Sequence, residues 1–327
     1  VRASTEFVRA GNWIFGTGIR GRDPKVLFQH MATELDRLGS SMALVARLDQ
    51  YYPNASCVPP YQAARKQAFQ RRQVAPSTSV IVSALRDPQA AVDLQVMAAT
   101  AASGYAVEEI GAGLNRPETS GYSPALRVGD LIFVAGQLAR DASGKLAVRG
   151  TAAETDYIFA ERLAPALEAA GSSPELVLKA QVYLSGVDDV SVFHASWATL
   201  LGGRIPPTTV VALRHPAFLT TQATVEINLI AAHRSARARL REIESDVPAR
   251  GLDGLLFTGG FRGSDLVEIL HQAKRVYAAA GNDLSHVVRA LVFQTGGATN
   301  PDLGFSCTAV EVQGGLTVDL WGCASQT

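Results

Sequence analysis

The 327-residue chain has only three cysteines, Cys57, Cys307 and Cys323, and no CxxC pair. Zinc-ribbon and dithiol redox chemistry are therefore not indicated. An odd, scattered set is no disulfide framework either, so a reducing cytoplasm is the expected setting. Excess charge is also missing. Lys+Arg and Asp+Glu both number 30, and no long run of one sign occurs. Nucleic acid is thus not expected as a partner, because phosphate binding needs a basic face. A polybasic attachment to membranes is disfavoured too. No apolar run reaches the roughly 18 residues of a spanning helix. No signal peptide opens the chain, although a chain starting at Val1 leaves export open. What remains is an ordinary globular composition, 47% hydrophobic and 18% charged, long enough for two or three domains.

Internal repetition organises that length. An apolar run ending in glycine occurs three times, as Asn12–Gly18, Asp130–Gly136 and Gly254–Gly260. Phe15, Phe133 and Phe257 correspond, and an aspartate follows each final glycine by five residues: Asp23, Asp141 and Asp265. Apolar residues at helical spacing predict helices over about 26–38, 155–170 and 266–280. Each stops at a glycine suited to a left-handed cap, Gly39, Gly171 or Gly281. Strands over 45–52, 177–184 and 287–294 follow, with Arg47, Lys179 and Arg289 in one register. A closing strand ends each copy, and its acid is matched as Asp93, Glu226 and Asp319. The spacing predicts an extra helix near 190–201 in the second copy, a weaker one near 60–69 in the first, and none in the third. An opening strand is expected near Ala106–Ile110. The copies are assigned to residues 1–103, 104–234 and 235–327.

The second copy carries specific motifs. Its opening, Ser120-Gly-Tyr-Ser-Pro-Ala-Leu-Arg-Val-Gly-Asp-Leu-Ile-Phe-Val-Ala-Gly-Gln137, resembles that of RidA/YjgF proteins. So do Leu167–Pro174, Val182–Ser185, Pro206–Val211 and Val225–Ala231. The other copies resemble the family mainly through this one. The resemblance implies an α/β (α+β), chorismate-mutase-like fold that assembles in threes, with sheets inside, helices outside and sites in the clefts between units. One chain with three copies is then expected to form an intramolecular pseudo-trimer, as a monomer or a homodimer.

The resemblance also implies site residues. The family's deaminases hold the substrate carboxylate with an arginine at the start of the penultimate strand. The matching residues are Thr208, Thr78 and Cys307, so the arginine is missing from every copy. The family carboxylate that positions water corresponds to Glu226, Asp93 and Asp319. A carboxylate in a dry cleft can orient or deprotonate water; from periodicity alone each acid reads first as a solvated strand face, and the resemblance brings the two readings level. Tyr122 matches a tyrosine lining the cleft, with Ser4 and Asp246 at its register in the other copies. Gly136 matches a position whose carbonyl faces the substrate nitrogen, although a tight bend alone would also explain glycine there. Arg20 and Arg262 share one register and could supply the missing guanidinium, or be solvated strand residues. Cys307 could be a nucleophile or a small buried residue. His30 and His271 on helices and His215 on a hairpin share no ligand spacing, so no metal is expected.

These readings lead to a cofactor-independent hydrolase for a small, carboxylated imine, enamine or related C–N compound. The alternative is a non-catalytic small-molecule binder or regulator using the same clefts. The ribonuclease activity reported within the family is disfavoured by the neutral charge.

Overall fold

The computed structural model describes residues 6–70, 74–111, 122–214, 216–220, 222–297 and 307–324, with the backbone of 2–3. Ser4, His215, residues 120–121 of the opening motif and residues 298–306 lie outside the described residues.

Three sheets repeat one strand order. The first runs Phe7–Ala10, Trp13–Gly21, Val92–Ala99, Val45–Tyr52, Ser77–Ile81, with Arg2–Ala3 at its near edge. The second runs Val107–Ile110, Ala125–Val128, Leu131–Gln137, Val225–Ala232, Val177–Leu184, Thr208–Ala212. The third runs Arg241–Ile243, Ala249–Leu252, Leu255–Thr258, Thr317–Cys323, Val287–Gln294, Thr308–Glu311. Ala84–Leu85 of the first unit adds a further strand to this last edge and stitches the two units together. Among the described residues, the one parallel pair in each unit joins the strand after the helix to the penultimate strand. The expected opening strand of the second copy is Val107–Ile110, and it pairs with Ala125–Val128.

The helices start and stop for local reasons. Asp23 and Asp265 accept backbone N–H bonds from Lys25 and Glu268, at 2.8 and 2.9 Å, and cap Pro24–Arg37 and Leu266–Ala279. Asp141 does otherwise: it accepts from the N–H groups of Ser143 and Lys145 and shapes a turn. The second unit's helix therefore begins later, at Thr151, four residues before its sequence-based start. It passes through a π turn, Phe159–Leu163, into Ala164–Ala169. Pro165 has no N–H to continue the regular ladder there. The extra helices are Asp189–Leu200 and, in the first unit, Val58–Ala68.

The central strands of the first two units are buried along their whole length, as expected of strands covered on both faces. One face meets helices: Ile132, Val134, Val182 and Leu229 pack with Ile158, Leu167, Phe193 and Trp197. The opposite faces of the three sheets meet each other. Tyr51, Tyr183 and Phe293, one from each sheet, form a triangle with ring centroids 6.2–6.3 Å apart. Sheets thus lie inside and helices outside.

The contacts between units close a ring. Gly136 of the second unit lies against Thr78 of the first. The Gly260 N–H donates to the Thr208 carbonyl, from third unit to second. The Gly18 N–H donates to Thr308 Oγ1, 2.9 Å away, from first unit to third. Each penultimate strand therefore faces the glycine bulge of another unit, which creates three clefts.

Candidate functional site

Ladder register decides which residues are equivalent, and it corrects one match. Tyr51 pairs with Asp93, Tyr183 with Glu226, and Phe293 with Thr317. Arg20 likewise stands opposite Asp93, and Arg262 opposite Thr317. Thr317, not Asp319, thus occupies the third unit's acid position. Asp319 stands two residues further along, level with Gln95 and Asn228. A two-residue shift keeps a side chain on the same face of a strand, which is why the motif Val-acid-Leu matched in the wrong register. The parallel pairs apply a smaller correction to the threonines: Ser77, rather than Thr78, is level with Thr208.

Asp319 instead joins a buried ionic cluster between the sheets. It accepts from Lys179 Nζ, from Arg289 at 2.9 Å and from Thr209 Oγ1 at 3.0 Å. Arg289 also reaches Asp49 at 3.2 Å, and Asp49 pairs with Arg47 at 2.9 Å. Burial pushes the Asp319 carboxyl up, but the charges of Lys179 and Arg289 outweigh it and hold it below the usual range. The three basic residues that share a register are thus joined across the units.

The cleft between the first and second units is open. A cavity of about 240 Å³ is lined by Tyr122, Gly136, Gln137, Arg140, Arg162 and Glu226 of the second unit, and by Gln62, Arg65, Ser77 and Ser79 of the first. Three of the expected residues, Tyr122, Gly136 and Glu226, come together here. The Glu226 carboxyl lies directly over Gly136: a Cβ built there would stand 1.9 Å from Glu226 Oε1. Room for the carboxyl, rather than backbone freedom, is what glycine supplies, since Gly136 is not among the positive-φ glycines. Burial pushes Glu226 up to about 8, against the charge of Arg140 and a hydrogen bond from the Ser79 backbone. A carboxyl with that pKa exchanges its proton near neutral pH.

Arg65 was not among the sequence candidates. It lies on the first unit's extra helix, where Val58, Tyr61, Ala64 and Arg65 are buried together. An arginine inside an apolar helical stripe was the available signal. Its guanidinium donates to Ser77 Oγ at 3.0 Å and stands 5.9 Å from the Tyr122 ring centroid. A basic group thus reaches the start of the penultimate strand from a neighbouring element. Arg140 and Arg162 complete the cleft, donating to Thr220 Oγ1 at 2.6 Å and to Gln137 Oε1 at 3.2 Å.

The other two clefts differ. Between the third and first units, Arg20 holds Asp93 at 2.7 Å and the Cys307 carbonyl at 3.1 Å. Thr308 Oγ1 takes the other Asp93 oxygen at 2.9 Å. Burial pushes Asp93 up to about 6 despite the Arg20 charge. Arg20 therefore neutralises an acid rather than awaiting a substrate. Cys307 contributes its carbonyl, while burial raises its thiol pKa, the reverse of an activated nucleophile. Between the second and third units, Arg262 donates to the Val210 carbonyl at 2.8 Å. Thr208 sits there, with its hydroxyl on the Pro206 carbonyl, away from Tyr122 and Glu226. The methyl groups of Thr209 and Thr317 close on Gly260, each 3.1 Å from where a Cβ would stand.

Gly136→Ala is accordingly expected to expel the Glu226 carboxyl. Overpacking of this kind costs about 1–3 kcal/mol, readable by urea denaturation, and ligand binding at the first–second cleft should be lost with it. An alanine variant that binds and turns over normally would show that the carboxyl's seat over Gly136 is unimportant.

Among the described residues, no group of three or more His, Cys, Asp or Glu side chains could hold a metal. No helix among them is long and apolar enough to cross a membrane.

About a third of the chain is similar to known proteins. The family model described as Endoribonuclease L-PSP matches residues 113–233, within the second copy. The mitochondrial protein mmf2 of Schizosaccharomyces pombe is 33% identical over 112 residues, 34% of this chain and 86% of the relative. Protein HMF1 of Saccharomyces cerevisiae is 30% identical over 113 residues, 35% of this chain and 84% of its own. The crystal structure of RidA from an Antarctic Psychrobacter is similar at 28% identity, covering 36% of this chain and 93% of that one, with a TM-score of 0.33. The chain belongs to the RidA/YjgF family, with the family's fold present as tandem copies.

Proposed function

We propose that the chain is a cofactor-independent hydrolase that releases ammonia from a small, carboxylated imine or enamine in the cleft between its first and second units. The observation that carries this reading is the meeting of Glu226, Tyr122 and Gly136 with an arginine, Arg65, at Ser77. Arg65 binds the substrate carboxylate, in place of the arginine absent at Ser77, Thr208 and Cys307. Water adds to the imine carbon and passes one proton to Glu226, which gives it to nitrogen to form a carbinolamine. Glu226 then takes the proton of the carbinolamine hydroxyl and gives it to the nitrogen as the C–N bond breaks, so that ammonia and a carbonyl product leave. The chain then acts as a pseudo-trimer in one polypeptide, divided after residues 103 and 234. Its two other clefts serve as structure, and a cytoplasmic setting suits its three free cysteines.

The test is ammonia release from 2-imino acids generated in situ by an amino-acid oxidase. The expected result is acceleration by wild-type protein and by Asp93→Asn, and a strongly reduced rate with Glu226→Gln. Saturable binding of the same compounds without acceleration would favour the non-catalytic binder. The absence of the family arginine from its own position is the observation on that side.

A further inference from the structure

We infer that the cleft between the first and second units selects a substrate with two carboxylates, one held by Arg65 and the other by Arg140 and Arg162. The inference rests on the proposed catalytic reading only for the identity of the reacting group, because binding can be measured without turnover.

The charge of the cleft is its basis. Three guanidinium groups line one cavity, while among the described residues lining it Glu226 is the one carboxylate. They come from both walls: Arg65 from the first unit's extra helix, Arg140 and Arg162 from the second unit just past the Gly136 bulge and from its helix. Among the described residues neither Arg140 nor Arg162 forms an ion pair; their partners are the hydroxyl of Thr220 and the amide of Gln137. The two feel each other. Arg162 is lowered from its ordinary pKa by burial first, and the like charge of Arg140 adds to this. Tyr122 marks the point where the groups converge. Burial raises its hydroxyl, Glu226 raises it further, and Arg140, Arg65 and Arg162 all act against that rise.

A single carboxylate on Arg65 would leave the like charges of Arg140 and Arg162 facing each other in a part-buried site with no described ion pair, which is unfavourable. A dianion matches both walls. Arginine forks bind carboxylates at two points each, which also fixes orientation. The cavity of about 240 Å³ lies below the roughly 300–1,000 Å³ typical of drug-sized ligands, so it suits a short diacid rather than a nucleotide.

The test is calorimetric titration of the full chain with malonate, succinate and glutarate against acetate, propionate and butyrate. One diacid is expected to bind about 10- to 100-fold tighter than the monoacid of equal length. Arg140→Gln and Arg162→Gln should each reduce that preference, and the double variant should abolish it while monoacid affinity persists. Arg65→Gln should weaken both classes. Because Arg65 is buried and its variant can fail to fold, the part-exposed Arg140 and Arg162 carry the decision. Equal affinity for diacids and monoacids, or a preference that survives the double variant, overturns the inference. Ammonia assays on the imines of aspartate and alanine separate the two readings. Diacid preference without ammonia release removes the hydrolase and supports the diacid site. Ammonia release at equal efficiency from both imines does the reverse.

Discussion

Replacing Glu226 by glutamine is expected to reduce turnover by about 10²- to 10⁴-fold, the usual contribution of a general base, with the fold retained. The amide keeps the shape over Gly136 but cannot take a proton from water. The pH dependence supplies a second readout. With Glu226 pushed up to about 8, the base form is the minority at neutral pH. The wild-type kcat/KM should therefore rise through the neutral range and level off above about 8, while the residual rate of the variant lacks this limb. Stability gives a third. The folded-state pKa is raised above the ordinary value of 4.5, so the stabilising difference is complete below that value and is lost as pH rises through about 8. Glu226→Gln should thus melt higher than wild type at pH 9, with the gap closing toward pH 5. A variant with wild-type turnover, or a melting difference that does not change with pH, would remove the buried carboxyl from the account.

Asp319→Asn tests the opposite assignment and should act on stability. Its carboxyl is fully buried against Lys179 and Arg289. Removing one partner of a buried ion pair leaves uncompensated charge and typically costs about 3–5 kcal/mol. Here the cluster would go from three cations and two anions toward three and one, counting Arg47, Lys179, Arg289, Asp49 and Asp319. Guanidinium denaturation should show this loss, while the folded fraction retains turnover per active site. A loss of turnover with unchanged stability would return Asp319 to the catalytic set. The network also shows what fusion permits. Three identical subunits would place three identical residues around an axis, whereas one chain places Arg, Lys and Arg there and pairs them unequally with Asp49 and Asp319.

The fold was legible because the copies keep their punctuation. The glycine after each apolar run, the stop glycine after each helix and the basic residue in each following strand are locally required features, and they recur in order. Glu226, Tyr122 and Gly136 were legible because the second copy retains the family's motifs. Asp319 was misplaced because strand patterns repeat every two residues, so a slip of two leaves the inward face unchanged. Arg65 was missed for another reason. It sits on a helix of the divergent first copy, and only tertiary packing brings it to Ser77, twelve residues later. Arg20 and Arg262 share a register that is readable in the sequence, but sequence cannot show that Asp93 and the Val210 carbonyl already engage them.

The central claim is that one cleft of three does the work. Isothermal titration calorimetry of the full chain with the tightest carboxylate ligand measures it directly. The expected stoichiometry is one ligand per chain, abolished by Gly136→Ala and unchanged by Asp93→Asn. Three equivalent sites per chain, or a single site that persists in Gly136→Ala and disappears in Asp93→Asn, would contradict it.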